Sequence, residues 1–162
     1  MASTSTNKQP LLVDRVLHYA VDTTPHINNG YAVAGDNSAV LLVNAIGTDG
    51  CVIEDIYAVA LSSTESEINL YISTANDYMR KTESVFIGSF KSPTTPGNIS
   101  HWGDAAGSSM PRTLTPVPHV GDTPYNHALY IPKGRALWGA RNDSNVAPND
   151  SAPILGCQGG WY

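Results

Sequence analysis

Residues 126–143 read NHALYIPKGRALWGARND, and this stretch decides the fold class. Two runs of apolar and aromatic residues, 127–131 and 135–141, lie on either side of a short Pro-Lys-Gly sequence. Runs of this length, separated by proline and glycine, are typical of β-strands joined by a tight turn. The stretch therefore predicts a β-hairpin, and it contains no recognisable catalytic motif.

Further short apolar or alternating runs recur along the chain, separated by glycine, proline and asparagine. The first is ambiguous, because residues 11–21 fit one helical face as well as an alternating strand; their β-branched and aromatic content favours the strand. The run at 112–120 can only form an irregular or edge strand, because two prolines interrupt it. The other strand predictions are residues 38–46, 51–61, 67–74, 84–90 and 154–162.

Two details of this strand pattern carry specific expectations. The Gly-Thr-Asp-Gly link at residues 47–50 predicts a hairpin between the strands on either side of it. In the strand at 51–61, alternation places Cys51, Ile53 and Tyr57 on one face, together with the charged Asp55, which conflicts with a buried face.

The spacing of these runs predicts an all-β fold: a jelly-roll-like β-sandwich of about eight strands with an N-terminal extended arm. Long connections, such as the one between residues 90 and 112, favour this topology over a simple meander. A chain of 162 residues is expected to form one domain. Residues 1–21 are assigned to the arm and a possible first strand, and residues 22–162 to the sandwich.

Composition and charge exclude several classes of function. The net charge is −5 and no basic cluster is present, so nucleic-acid binding is not expected. No apolar run is long enough to span a bilayer, so no membrane partner is expected. The N-terminal sequence MASTSTNKQP lacks the regions of a signal peptide, which predicts that the protein is used without export.

The sequence offers little for catalysis. No motif for a nucleophile, a phosphate or a cofactor is present, and the five histidines lack the spacing of a metal site. We therefore expect no catalytic residue, no metal and no cofactor. Cys51 and Cys157 are predicted to be buried free thiols, with a disulfide as the alternative. A hydrolase would require convergence of two members of one set: Asp36, Asp55, Asp104, His101, His119 and His127.

Binding to other proteins is the function that the sequence favours. The polar arm followed by three apolar residues is suited to docking on another subunit. His101 and Trp102 lie in a glycine-rich stretch, where the tryptophan either anchors an interface or packs on its own core. The aromatic pair that ends the chain is also suited to contact a neighbour. The candidate interface residues are Leu11, Leu12, Val13, His101, Trp102, Trp161 and Tyr162.

Four segments resemble small head-decoration (cement) proteins of tailed phages, cyanophages among them: HALYIPKGRALW, ILGCQGGWY, EINLYIST and SVFIGSF. The resemblance implies a β-sandwich that is usually trimeric and that clamps onto the outer face of the capsid where major capsid subunits meet. Its partners would be the major capsid protein and its own copies in a homotrimer. It would lie on the virion surface after assembly in the host cytoplasm. The alternative is a glycan- or receptor-binding module of a phage tail or fibre, which would leave Trp102 exposed over a polar surface.

Overall fold

The computed structural model describes residues 15–23, 39–74, 83–102, 128–141 and 152–162. Nine strands within these ranges form two antiparallel sheets that pack face to face, which confirms the predicted all-β sandwich. The strands are β1 (Arg15–Asp22), β2 (Ala39–Asn44), β3 (Gly50–Val59), β4 (Glu67–Ser73), β5 (Ser84–Lys91), β6 (Ile99–His101), β7 (Leu129–Pro132), β8 (Ala136–Arg141) and β9 (Ile154–Trp161).

The order of the strands is that of a jelly roll. Sheet A has the order β1-β9-β3, and β6 and β7 share the far side of β3; sheet B has the order β2-β8-β4-β5. Strands from the two ends of the chain therefore pair with each other: β1 pairs with β9, and β2 pairs with β8. Strands closer to the middle of the chain also pair: β3 with β6 and β7, and β4 with β5. A long antiparallel ribbon wound into two sheets has this pairing.

The predicted hairpin at 126–143 is wrong, although its turn is correct. The Pro-Lys-Gly turn connects β7 to β8, but β7 pairs in sheet A and β8 pairs in sheet B. Gly134 adopts a positive φ of 77°, and its amide donates a hydrogen bond of 3.1 Å to the carbonyl of Ala45. The local sequence determines the turn, whereas distant strands determine which sheet each arm of the turn joins.

The hairpin predicted for residues 47–50 is wrong for the same reason, because β2 and β3 lie in different sheets. Its turn lies beside the turn that joins β7 to β8: Gly50 is paired with Pro132, and Asn44 is paired with Ala136. Two stretches of chain thus cross between the sheets side by side, as the winding of a jelly roll requires.

A β-bulge in β3 resolves the conflict over Asp55. The register with β9 shifts between Ile53 and Asp55. After this extra residue, the positions that alternation would place inside lie outside, and the reverse. Ile56 and Ala58 are therefore buried, while Asp55 and Tyr57 lie on the outer side. Strict alternation predicted Tyr57 on the inner side, which is wrong because alternation cannot anticipate the extra residue.

The core between the sheets is apolar and contains both cysteines as free thiols, which confirms that prediction. Burial removes water from the thiols and raises the pKa of Cys51 and of Cys157 to about 12. The large side chains that are fully buried come from both sheets: Ile53, Ile56, Ile68, Leu70, Phe90, Ile131, Leu137 and Leu155.

The remaining strand predictions have mixed outcomes. The first predicted strand is confirmed from Arg15 to Asp22, and its pairing with β9 makes it part of sheet A. β6 was missed, because three residues within a loop-like stretch leave no readable alternation. The prediction for 112–120 lies outside the described residues. Within the described ranges, no helix has the length and apolarity needed to cross a bilayer.

Candidate functional site

The outer face of sheet A, called the open face below, is built around a strand with small outward residues. In β9, Leu155 and Cys157 point into the core, so Gly156, Gln158 and Gly160 lie on the outer side. The register places these three positions between β1 on one side and β3 on the other. The middle of the open face is therefore low, because two of its three central positions carry no side chain.

Four polar side chains cross the open face and form a polar band: His18, Asp55, Tyr57 and His101. Both carboxylate oxygens of Asp55 lie near Nδ1 of His101, at 2.9 and 3.0 Å. The hydroxyl of Tyr57 lies 3.0 Å from Nε2 of His18. These contacts connect β1, β3 and β6, so the band is held in place across three strands.

Tyr57 owes its position to a glycine. It is paired directly with Gly156 on β9, and a Cβ atom built on Gly156 would lie 2.3 Å from the tyrosine ring. The ring therefore occupies the space that any other residue at Gly156 would fill. From this position the ring lies between two imidazoles, with centroid distances of 6.4 Å to His18 and 6.4 Å to His101.

Apolar side chains are exposed at both ends of the polar band. At one end, the register aligns Val16, Gly160, Val52 and Tyr130 across the sheet, and Tyr130 contacts Tyr162 edge to face at 5.9 Å. At the other end, Ile99 is paired with Val59. The exposed fractions are 82% for Val16, 53% for Ile99 and 52% for Tyr130. Water is excluded from such side chains when a partner surface covers them.

The outer face of sheet B, called the closed face below, differs in both composition and exposure. The register aligns Leu41, Trp138, Tyr71 and Phe86 in one row across its four strands. Trp138 is only 4% exposed, and the alanines beside it on β8 are buried as well. Trp138 lies in this second cluster of buried residues and not between the sheets.

The predicted interface residues fall into three groups. His101 and Tyr162 lie on the open face and are exposed. Trp102 and Trp161 are half-buried and pack against the core between the sheets. Leu11, Leu12 and Val13 lie outside the described residues. Packing of Trp102 on its own core was one of the two readings of the sequence, and the half-buried position of the side chain agrees with it.

The structure brings together one pair from the set that a hydrolase would require, Asp55 and His101. A carboxylate bound to Nδ1 of a histidine orients the imidazole, as in catalytic triads. The pair also joins the three-residue β6 to β3. Asp36, Asp104, His119 and His127 lie outside the described residues. Among the described residues, no group of three His, Cys, Asp or Glu side chains could hold a metal ion.

Several residues of the open face were missed by sequence reasoning: Val16, His18, Tyr57, Ile99 and Tyr130. The signal that could have found His18 and Val16 is alternation in β1, where they occupy every second position with Ala20. Alternation predicted the wrong face for Tyr57, because the bulge between Ile53 and Asp55 leaves no signal in the sequence. Ile99 and Tyr130 join the open face only because β6 and β7 pair with β3, which is a contact between distant parts of the chain.

In comparisons with known proteins, no family model matches the chain, and no curated protein and no solved structure is significantly similar to it. The function proposed below therefore rests on the geometry of the described residues and on the resemblance of short sequence segments.

Proposed function

We propose that the chain is a structural virion protein: a capsid decoration protein that binds the outer surface of a phage head at junctions of major capsid subunits and stabilises it. The open face is the surface that contacts the capsid. The observation that carries this proposal is the exposure of Val16, Ile99 and Tyr130 on one face of a sandwich whose other face has a buried centre, formed by Tyr71, Ala136, Trp138 and Ala140.

The arrangement of the open face supports protein docking. Exposed apolar side chains gain free energy when a partner covers them, about 25 cal/mol for each Å² removed from water. The polar band between them offers hydrogen-bonding groups that two cross-strand contacts hold in position. Groups that are already ordered lose little conformational freedom on binding, which favours association.

The size of the open face fits a contact that is repeated many times. Four strand positions at about 4.8 Å and eight residues at about 3.3 Å give a face of about 19 by 26 Å. A stable interface buries about 800 Å² on each partner, so one such face alone supports a modest affinity. Many copies on a symmetric shell, and several copies joined in a homotrimer, would convert modest contacts into firm attachment through multivalency.

The test is binding to capsids of the phage that encodes the chain, prepared without the protein. We expect the wild-type protein to co-sediment with these capsids and to raise the temperature at which they open. The variant Val16→Asp places a charge on the open face without touching the core, so its binding should fall at least about tenfold.

Leu61→Asp is the matched control, because Leu61 is exposed but lies outside the strands of the open face. It should bind as the wild-type protein does. Wild-type protein that fails to bind capsids would contradict the proposed function, and equal binding by Val16→Asp would remove the open face from it. Light scattering that shows a monomer at all concentrations would contradict the homotrimer.

A further inference from the structure

We propose that docking of the open face is coupled to the uptake of a proton, which His101 binds beside Asp55. This inference rests on the proposed function and adds to it a dependence on pH. Its physical basis is that a partner surface removes water from the Asp55 carboxylate, and a protonated imidazole in contact with that carboxylate neutralises its charge.

Asp55 is shielded from most water before any partner binds. Its side chain is 22% exposed, whereas the side chain of His101 is 48% exposed. The pair lies between the two apolar ends of the open face, so a partner that contacts both ends also covers the pair. Covering it removes the remaining water from the carboxylate. A carboxylate without water is costly unless it is hydrogen-bonded and paired with a positive charge.

His101 can supply that positive charge. Its Nδ1 lies 2.9 and 3.0 Å from the two carboxylate oxygens of Asp55, so the N–H at this position donates to them. Histidine changes its charge between about pH 5 and pH 8. Among the described residues, no lysine or arginine forms an ion pair with Asp55. Neutralisation from within the chain therefore requires a second proton on the imidazole.

The other polar side chains around this pair have different roles. Tyr57 on β3 and Gln158 on β9 carry no charge in this pH range. His18 on β1 lies 3.0 Å from the hydroxyl of Tyr57, which can donate to a neutral imidazole, so docking requires no proton there. Glu54 precedes Asp55 at the bulge and is exposed, and within the described residues it contacts no histidine.

The coupling has a defined sign. The docked protein holds the additional proton, so docking is tightest at low pH, where a histidine is already protonated in the free protein. Docking weakens as the pH rises, because the proton must then be taken from the solution. Uptake of one proton changes the affinity by at most about tenfold per pH unit. We expect the affinity for capsids to fall at least about tenfold from about pH 5.5 to about pH 8.

The first test is titration calorimetry of the full chain with undecorated capsids near pH 7, in two buffers that differ in enthalpy of ionisation. The difference between the two heats gives the number of protons taken up on docking. Wild-type protein should take up about half to one proton more than His101→Gln, whose side chain forms hydrogen bonds but gains no charge. The comparison on the same capsids cancels the protons that the capsid itself exchanges.

The second test uses matched variants in the same measurement. His18→Gln makes the same change at the other histidine of the polar band and should retain the proton uptake. Asp55→Asn should lose the uptake, because no carboxylate is left to neutralise. Equal proton numbers for wild type and His101→Gln, loss of uptake in His18→Gln, or uptake retained by Asp55→Asn would each overturn the inference while docking itself persists. Absence of binding at every pH would instead contradict the proposed function, and the inference with it.

Discussion

The two outer faces of the sandwich are built on strands in equivalent positions, since β9 and β8 are each the second strand of their sheet, but the two faces differ in exposure. On the open face, β9 presents Gly156, Gln158 and Gly160, and apolar side chains stay exposed at both ends. On the closed face, β8 presents Ala136, Trp138 and Ala140, all of which are buried. The difference shows that the fold alone does not decide which outer face keeps its apolar side chains exposed; the outward residues of the central strands contribute to that.

Glycine has a different effect on the two strands. On β9 it leaves room on the outside for a ring from the neighbouring strand, Tyr57, which holds the polar band in place. On β8, Gly139 faces inward, where a Cβ would lie 2.2 Å from the side chain of Leu155. Glycine thus makes room for Tyr57 on the open face at β9 and allows close packing of the two sheets at β8.

The largest expected effect separates the two faces by aromatic truncation. Trp138→Ala on the closed face should lower the free energy of unfolding by about 3–5 kcal/mol, because it leaves a cavity in a buried cluster. Tyr130→Ala on the open face should lower it by only about 1 kcal/mol, because it loses little more than the contact with Tyr162. Urea unfolding of the two variants measures both values, and equal losses would remove the distinction between the faces.

The second prediction tests whether solvent is kept away from the inner side of sheet A. Cys51 and Cys157 point inward from β3 and β9 with pKa values raised to about 12, so the folded protein keeps both thiols protonated. Their stabilisation is complete below the pKa of the unfolded thiols, about 9, and is lost as the pH rises from about 9 to 12. Each thiol contributes a loss of about 1.4 kcal/mol per pH unit in that range.

The wild-type protein should therefore lose about 2–3 kcal/mol more between pH 8 and pH 10 than a Cys51→Ala/Cys157→Ala variant. Urea unfolding at both pH values gives this difference and cancels the titration of lysines and tyrosines that the two proteins share. If the free energies of unfolding of the two proteins changed equally with pH, the thiols would be accessible to solvent in the folded protein.

The third prediction compares two glycines of β9. Gly159→Ala should destabilise by about 2–3 kcal/mol, because its Cβ would lie 2.0 Å from the backbone oxygen of Val52, which cannot move alone. Gly156→Ala should cost about 1 kcal/mol, because Tyr57 can rotate away. The second variant should also change the NMR signals of His18, since the ring that contacts it is displaced. Unchanged signals would show that Gly156 does not position the band.

The smallest expected effect concerns the polar band itself. His101→Ala removes the contact with Asp55, which is partly exposed, so the free energy of unfolding should fall by at most about 1 kcal/mol. Thermal unfolding measures this change, with Lys133→Ala at the exposed pair with Asp49 as the control. A loss of several kcal/mol would mean that the band is a structural core element and not a binding surface.

Sequence reasoning predicted most of the strands but not how they join. Alternating runs identified β4, β5, β8 and β9, because burial on one side leaves a local pattern. The two predicted hairpins were wrong, since each turn carries the chain between sheets, and this depends on contacts between distant strands. The open face was hidden for the same reason: Tyr57 and His101 meet only through register and a bulge.

Hydroxyl-radical footprinting of the protein, free and bound to undecorated capsids, tests the central claim most directly, because it reports which side chains lose contact with water. The proposed function predicts protection on the open face, at Val16, Ile99, Tyr130 and Tyr162, with Leu61 unchanged. Protection confined to other residues, with these four side chains oxidised as in the free protein, would contradict it.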